Sequence, residues 1–161
     1  MHATELPLGD QIFTHFEELG EGVSVQRTFA ASALRRFCSC EESVLAGVAR
    51  VPQLALDGGM LTMLLTRRGL EEARLLRALS TPSYAPLLFA LMPDGSALLV
   101  DGSHTYVAML LRGERYARGY LVPECIWRNF LVSGLRACSP EELLATPSWA
   151  GAALAEEEGY K

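Results

Sequence analysis

Residues 97–114, Ala97-Leu-Leu-Val-Asp-Gly-Ser-His-Thr-Tyr-Val-Ala-Met-Leu-Leu-Arg-Gly-Glu114, predict a strand, a glycine turn and a helix in succession. The apolar run Ala97–Val100 is typical of a buried strand, and Asp101-Gly102 is typical of the turn that ends it. Ser103 is expected to cap a helix over residues 104–112, which Gly113 would close. The segment therefore predicts a unit in which the chain leaves a sheet and enters a helix directly.

The segments on both sides continue this mixture of strands and helices. Before it, the leucine stripe of residues 69–80 predicts an amphipathic helix, and Leu87–Leu91 predicts a buried strand. After it, the alternating residues 115–122 predict another strand, and residues 124–131 predict a helix. We therefore expect an α+β fold, a single domain with a small mixed sheet flanked by helices.

Boundaries and short elements follow from local signals. Residues 1–25 are expected to be an acidic extension with a short amphipathic piece and a loop, 26–150 the domain, and 151–161 an acidic tail. Ser39-Cys40-Glu41-Glu42 has the form of a capping box and predicts a short helix at 43–49. Ser139-Pro140-Glu141-Glu142 is a second such box.

Composition excludes several classes of protein. The chain has 161 residues, of which 50% are hydrophobic and 20% are charged, so a wholly disordered chain is excluded. No stretch is long and apolar enough for a membrane helix, and the N-terminus lacks the pattern of a secretory signal. The net charge of −5 does not suit a protein that coats nucleic acid through bulk electrostatics, although a local basic groove remains compatible with it.

The kinds of basic and sulfur-containing residues further restrict the binding sites and reactions that the chain can support. Thirteen arginines and one lysine, the terminal Lys161, exclude a Walker A loop and a Schiff-base enzyme. The four cysteines and three histidines are scattered, which argues against a structural zinc site. Without a secretory signal we expect reduced thiols and a cytoplasmic protein. Cys38 and Cys40 leave a redox pair open as an alternative to ordinary buried thiols.

The turn at residues 101–105 is the one group of residues in the sequence whose types and spacing indicate a binding site. A glycine permits close backbone approach, and the unpaired N–H groups of a first helical turn attract anions. His104 and Thr105 add side-chain donors beside Ser103. The alternative is an ordinary structural turn that binds nothing, since the same spacing serves wherever a strand passes directly into a helix.

The ordered motifs of Tyr84–Glu124 resemble the ParB/sulfiredoxin superfamily, which includes ParB-like nuclease domains. With the preceding helix, Gly69–Ser80, and a weaker extension through Ser139-Pro140-Glu141, the likeness covers about half of the chain. It consists of Pro86-Leu-Leu-Phe-Ala-Leu, Ala97-Leu-Leu-Val, Asp101-Gly102-Ser103-His104, Ala108, Gly113 and Tyr120-Leu-Val. Residues 1–65 carry no part of it. Two departures stand out: Ser103 occupies the place of the reactive cysteine of sulfiredoxin, and Thr105 replaces an arginine that usually follows the histidine.

The resemblance implies a protein that binds the phosphate groups of a nucleotide or a nucleic acid. It assigns the phosphate contacts to Gly102, Ser103 and His104, and Asp101 and Thr105 of the same turn are further candidates. Arg74, Arg77 and Arg112 are candidates for the missing guanidinium. A nucleotide (ATP or CTP) with Mg²⁺ is the implied cofactor set, and the implied activity is that of a weak nuclease or NTPase; no catalytic residue or metal ligand is assigned.

The alternative is a non-catalytic interaction module on the same fold. Such a module, encoded by a plasmid or phage, would bind and inhibit a partner protein. The acidic balance, the high apolar content and the altered motif favour it.

Overall fold

The computed structural model describes residues 11–20 and 22–132, and the chain divides into two compact units. Of the described residues, one unit contains those up to Gly47 together with those from Pro123 to Val132, and the other is Val48–Val122. The boundary expected between residues 25 and 26 falls inside a strand, Val23–Phe29. The expected tail 151–161 and the capping box at 139–142 lie outside the described residues, so the division into extension, domain and tail stays a prediction.

The described elements alternate between strands and helices. In chain order they are β1 (Phe13–Gly20), β2 (Val23–Phe29), α1 (Ala31–Cys38), α2 (Glu41–Ala46), β3 (Ala49–Ala55), α3 (Met60–Arg67), α4 (Glu72–Leu79), β4 (Leu87–Leu91), β5 (Ala97–Asp101), α5 (Ser103–Leu111), β6 (Tyr116–Val122), α6 (Glu124–Trp127) and a 3₁₀ turn (Arg128–Phe130). None of these helices, within the described part of the chain, is long and apolar enough to cross a lipid bilayer.

The unit Val48–Val122 is built on a four-stranded mixed sheet in the order β3-β6-β4-β5. Strand β4 pairs parallel with β6, and the two other pairings are antiparallel. Helix α5 carries the chain from the edge strand β5 back to β6 on the other side of β4. The expected α+β fold with a small mixed sheet flanked by helices is confirmed.

A single apolar cluster joins this sheet to its helices. Leu64 of α3 and Val107 of α5 are fully buried in it, and Leu75 of α4 packs against it. The sheet contributes the buried side chains of Leu87, Phe89, Leu99 and Ala117. Because burial of an aliphatic side chain contributes about 1.5–3 kcal/mol, this cluster fixes the position of α5 against the sheet.

The other unit contains the β1–β2 hairpin and the short helices around it. The two strands pair antiparallel, and Gly22 has a φ of 76° in the turn between them. Trp127 is fully buried, and its ring lies 5.4 Å from that of Phe29. The hairpin differs from the expected amphipathic piece and loop, because Val, Thr and Phe side chains of β2 supply a pairing partner that a local pattern does not show.

The elements in the middle of the chain lie close to where the sequence predicts them. Strand β4 is Leu87–Leu91 as predicted, and the helix predicted over residues 69–80 is Glu72–Leu79. Helix α5 begins at Ser103, and β6 begins at Tyr116, each within one residue of expectation. These elements carry clear periodicity and glycine or proline stops, which is why local reasoning finds them.

Strand β3 was not predicted, because Pro52 suggests an interruption. A proline has no N–H for a sheet ladder and is tolerated on edge strands and at bulges. Both conditions hold here: β3 is an edge strand, and its register with β6 shifts between Val51 and Leu54. Helix α3 also went unpredicted, since its residues, MLTMLLTR, are apolar on most sides.

The first capping box was misassigned. The helix is Glu41–Ala46, not 43–49, and its N-cap is Cys40. The hydroxyl of Ser39 donates instead to the carbonyl oxygen of Arg36, at 2.7 Å. Helix α1 ends at Cys38, so Ser39 closes the preceding helix and is not available to open the next one.

Candidate functional site

The turn between β5 and α5 depends on Gly102. Its φ of 111° and ψ of 20° lie in the left-handed region, where a side chain causes strain. Gly102 is the N-cap of α5, and its carbonyl accepts the first helical bond from Tyr106 N–H at 2.7 Å. Within the described residues, no side chain caps this helix start, so the first-turn N–H groups are not closed by a cap.

Ser103 is therefore not the N-cap that the sequence predicted. It is the first residue of α5, and its Oγ accepts a hydrogen bond from Nη1 of Arg68 at 3.2 Å. The left-handed Gly102 moves the helix start one residue earlier than expected. The hydroxyl of Ser103 is used to hold a guanidinium at this turn.

Arg68 is the residue that sequence reasoning missed. It follows α3 as its C-cap. Arg67 is exposed, whereas Arg68 is partly buried. Burial lowers the pKa of the Arg68 guanidinium to about 10, so the group stays charged at neutral pH. Arg68 reaches Ser103 only because of the position of α3, and no local sequence motif predicts that contact.

His104 joins the starts of two helices. Its Nε2 accepts a hydrogen bond from the backbone N–H of Glu71, the N-cap of α4, at 2.9 Å. An accepting Nε2 carries no proton, so the neutral ring has its proton on Nδ1. Burial is the largest cause of a lowered pKa for His104, and the positive charge of Arg74 lowers it further. The carboxylates of Glu71 and Asp101 act in the opposite direction.

The structure brings together most of the predicted site residues. Asp101 ends β5, and Thr105 lies partly buried in the first turn of α5. Arg74 is partly buried on α4 and interacts electrostatically with His104. Arg77 lies on the same helix, and its side chain is exposed.

Arg112 lies at the other end of α5. The helix has 9 residues, so at about 1.5 Å per residue its two ends are about 13 Å apart. Arg112 Nη1 donates to the carbonyl oxygen of Thr81 at 2.9 Å and to the hydroxyl of Tyr84 at 2.6 Å. It is held at the loop after α4, away from Gly102.

Tyr106 anchors the helix that carries the site. Its ring is only 3% exposed, and its hydroxyl accepts a hydrogen bond from the backbone N–H of Asp57 at 2.8 Å. Burial is the main cause of a raised pKa for this phenol. The first turn of α5 is thereby fixed to the loop that precedes α3.

Potential metal ligands and thiols occur at several places in the described part of the chain. No three His, Cys, Asp or Glu residues group there in a way that could hold a metal ion. Cys38 is buried, whereas Cys40 and Cys125 are exposed. The Sγ of Cys40 lies 3.4 Å from the carbonyl oxygen of Arg36, to which it donates. Cys138 lies outside the described residues.

The chemistry that this arrangement supports is anion binding. Two guanidinium groups, Arg68 and Arg74, lie at a helix start that presents N–H groups and a positive dipole end. We define the phosphate site, named for the ligand that we propose for it, as Arg68, Arg74 and residues 102–105. Comparisons with family models, curated proteins and solved structures give no match to this chain.

Proposed function

We propose that the unit Val48–Val122 binds a phosphate-bearing ligand, a nucleotide or the end of a nucleic acid, at the phosphate site. The observation that supports this most is the hydrogen bond from Arg68 to Ser103, which holds a partly buried guanidinium at the start of α5. An arginine placed beside unpaired helical N–H groups is suited to phosphate, because its planar fork matches the phosphate oxygens.

Arg74 supports the same assignment. Its side chain is partly buried beside His104, and within the described residues it makes no hydrogen bond or ion pair. The electrostatic attraction between an anionic ligand and a partly buried guanidinium is stronger than that with a fully exposed one, because solvent screens it less. Arg68 and Arg74 can therefore approach one phosphate group from two different elements.

The balance of charges selects the kind of ligand. Asp101 and Glu71 bring carboxylates close to His104, so the site is not uniformly positive. The chain as a whole has a net charge of −5. A compact ligand that places its phosphate at the N–H groups fits these charges better than a duplex that spreads its phosphates over a wide surface.

Membership of the ParB/sulfiredoxin superfamily forms part of this proposal. In that interpretation Thr105 replaces the arginine of the motif, and Arg68 supplies the missing guanidinium. Arg68 lies before the motif in the sequence, directly after α3. The enzymatic form of the proposal is hydrolysis of a phosphoester or phosphoanhydride bond, with Mg²⁺ carried on the phosphates of the ligand. No residue of the chain is assigned to the chemical step.

Thermal unfolding of the full chain with ATP, CTP, GTP and ADP, with and without Mg²⁺, tests the proposal. A ligand at 100 times its dissociation constant adds about 2.7 kcal/mol to the free energy of unfolding. Arg68→Ala should remove the shift, and Arg67→Ala, at the exposed neighbouring position, should retain it. Absence of any shift at millimolar nucleotide, or equal shifts in both variants, contradicts the proposal.

A protein-binding module is the second candidate, and α2 favours it. Leu45 is 89% exposed and the adjacent Val44 is 44% exposed, so α2 presents two neighbouring aliphatic side chains to solvent. We propose that this surface meets a protein partner if the phosphate site proves empty. A pull-down compares the wild type with Leu45→Glu and with the double variant Ser103→Ala/His104→Ala. Loss with Leu45→Glu alone supports the module, and loss with the double variant alone contradicts it.

A further inference from the structure

Helices α4 and α5 pack against each other and run in the same direction. At their starts, Nε2 of His104 accepts a hydrogen bond from the backbone N–H of Glu71 at 2.9 Å. Just beyond their ends, Nη1 of Arg112 donates to the carbonyl oxygen of Thr81, also at 2.9 Å. Because start meets start and end meets end, the positive dipole ends of both helices lie at the phosphate site.

The bond to His104 closes the start of α4. The N–H group of Glu71 is one of those that a helix start leaves without a partner inside the helix. Glu71 is the N-cap residue, and its own side chain forms no capping bond. A protonated imidazole carries a hydrogen on both nitrogens and has no lone pair with which to accept. Protonation of His104 therefore breaks this bond and frees the N–H group of Glu71.

The charged groups around His104 come from several elements. Helix α4 supplies Arg74, whose positive charge opposes protonation, and the carboxylate of Glu71, which favours it. Asp101 at the end of β5 also favours it, and Arg68, which follows α3, lies at the same turn. Burial is the largest cause that holds the pKa of His104 below its ordinary value. A bound anion offsets the charge of the arginines, so anion binding and protonation of His104 favour each other.

We propose that His104 is a proton-operated switch of the phosphate site, an inference that rests on the function proposed above. In the neutral state the ring occupies the N–H group of Glu71 and adds no charge. In the protonated state two donors face each other, so the ring turns away and leaves that N–H group to the ligand. The imidazolium also adds a positive charge beside Arg74. The protein therefore binds its anionic ligand more tightly in acid and releases it as the pH rises.

A histidine that only holds the start of the helix predicts the opposite pH dependence. Acid would then break the bond to Glu71, loosen the start of α4 and displace Arg74, so that ligand binding weakens. The switch instead predicts stronger binding, because the released N–H group and the new charge both favour an anion. The sign of the pH dependence therefore separates these two roles of His104.

NMR titration of the full chain with sodium sulfate, at constant ionic strength, tests the switch. Sulfate is the probe because its charge stays constant over the range used, whereas a phosphate monoester gains a proton at about pH 6. The wild type should bind sulfate about fivefold more tightly at about pH 5.5 than at about pH 7.5, since an added charge close to a dianion outweighs screening by salt. By linkage, saturating sulfate should raise the pKa of His104 by about 1.

Two variants assign the effect to His104. His104→Gln keeps an oxygen that can accept from the N–H group of Glu71 but cannot take up a proton, so its affinity should be equal at both pH values. His15→Gln, on β1 of the other unit, should keep the rise in affinity. Equal affinities of the wild type at both pH values, weaker binding in acid, or the same rise in His104→Gln overturns the switch alone. Absence of sulfate binding at both pH values overturns the phosphate site as well.

Discussion

The imidazole of His104 accepts a hydrogen bond from the backbone N–H of Glu71, and this 2.9 Å contact connects the starts of α4 and α5. Because Nε2 is the acceptor, the ring is neutral in the folded protein and keeps its Nδ1–H as a donor. At neutral pH the histidine therefore positions α4 and Arg74 at the phosphate site and does not add a charge there.

Acid should weaken the folded protein through this histidine. The folded pKa of His104 lies below its ordinary value, so the unfolded chain takes up the proton first. The stabilisation is fully present above about pH 6.5, the unfolded pKa, and is lost as the pH falls through the folded pKa. Urea unfolding at several pH values should show a smaller pH dependence over this range in His104→Ala than in the wild type. An identical dependence in both proteins contradicts the assigned bond.

Replacing Gly102 should destabilise the turn. An alanine at its φ of 111° is strained by roughly 1–2 kcal/mol. Gly102→Ala should therefore lower the free energy of unfolding by about that amount and weaken nucleotide binding. Gly58→Ala is the matched control, since its φ is not in the left-handed region and an added Cβ meets no atom within 4 Å. Chemical denaturation checks both, and equal effects contradict a special role for Gly102.

Gly119 of β6 leaves room for the side chain of Leu54 on the neighbouring strand. A Cβ built there would clash with Cδ1 of Leu54, so the leucine must move. Gly119→Ala should cost about 1–3 kcal/mol, as overpacking commonly does. In a double-mutant cycle with Leu54→Ala, the combined loss should be smaller than the sum of the single losses. Strict additivity would mean that the two side chains do not compete for this space.

The hydroxyl of Tyr106 should contribute measurably to stability. Tyr106→Phe leaves the backbone N–H of Asp57 without its acceptor, which costs about 1 kcal/mol. Tyr116→Phe removes a hydroxyl from an exposed ring and should have no effect. Thermal or urea unfolding compares the two variants. A similar loss in both would show that the bond to Asp57 is not the cause.

Periodicity and stop signals were enough to predict the elements closest to the site. Strand β4, helix α5 and the turn at Gly102 follow from apolar runs bounded by glycine, aspartate and proline. Strand β3 could not be found in this way, because Pro52 is tolerated only through its edge position and bulge. Those conditions depend on the completed sheet.

The sequence was enough to predict the motif of the candidate site, but not which arginines lie beside it. Residues 101–105 are contiguous, so the sequence shows them together. Arg68 lies 35 positions before Ser103, and only the packing of α3 brings the two side chains into contact. Arg112 is closer to the motif in sequence, yet the length of α5 carries it to the other end of the helix. Distance along the chain was a poor guide to which arginine lies at the turn.

Amide-resolved NMR of the full chain during titration with ADP tests the central proposal most directly. We expect the largest shifts at the backbone N–H groups of Ser103, His104 and Thr105, together with a shift at the Arg68 guanidinium. In Arg68→Ala these shifts should require much higher ADP concentrations, while Arg67→Ala should titrate like the wild type. Shifts confined to residues 112–118, or none at millimolar ADP, would contradict the phosphate site.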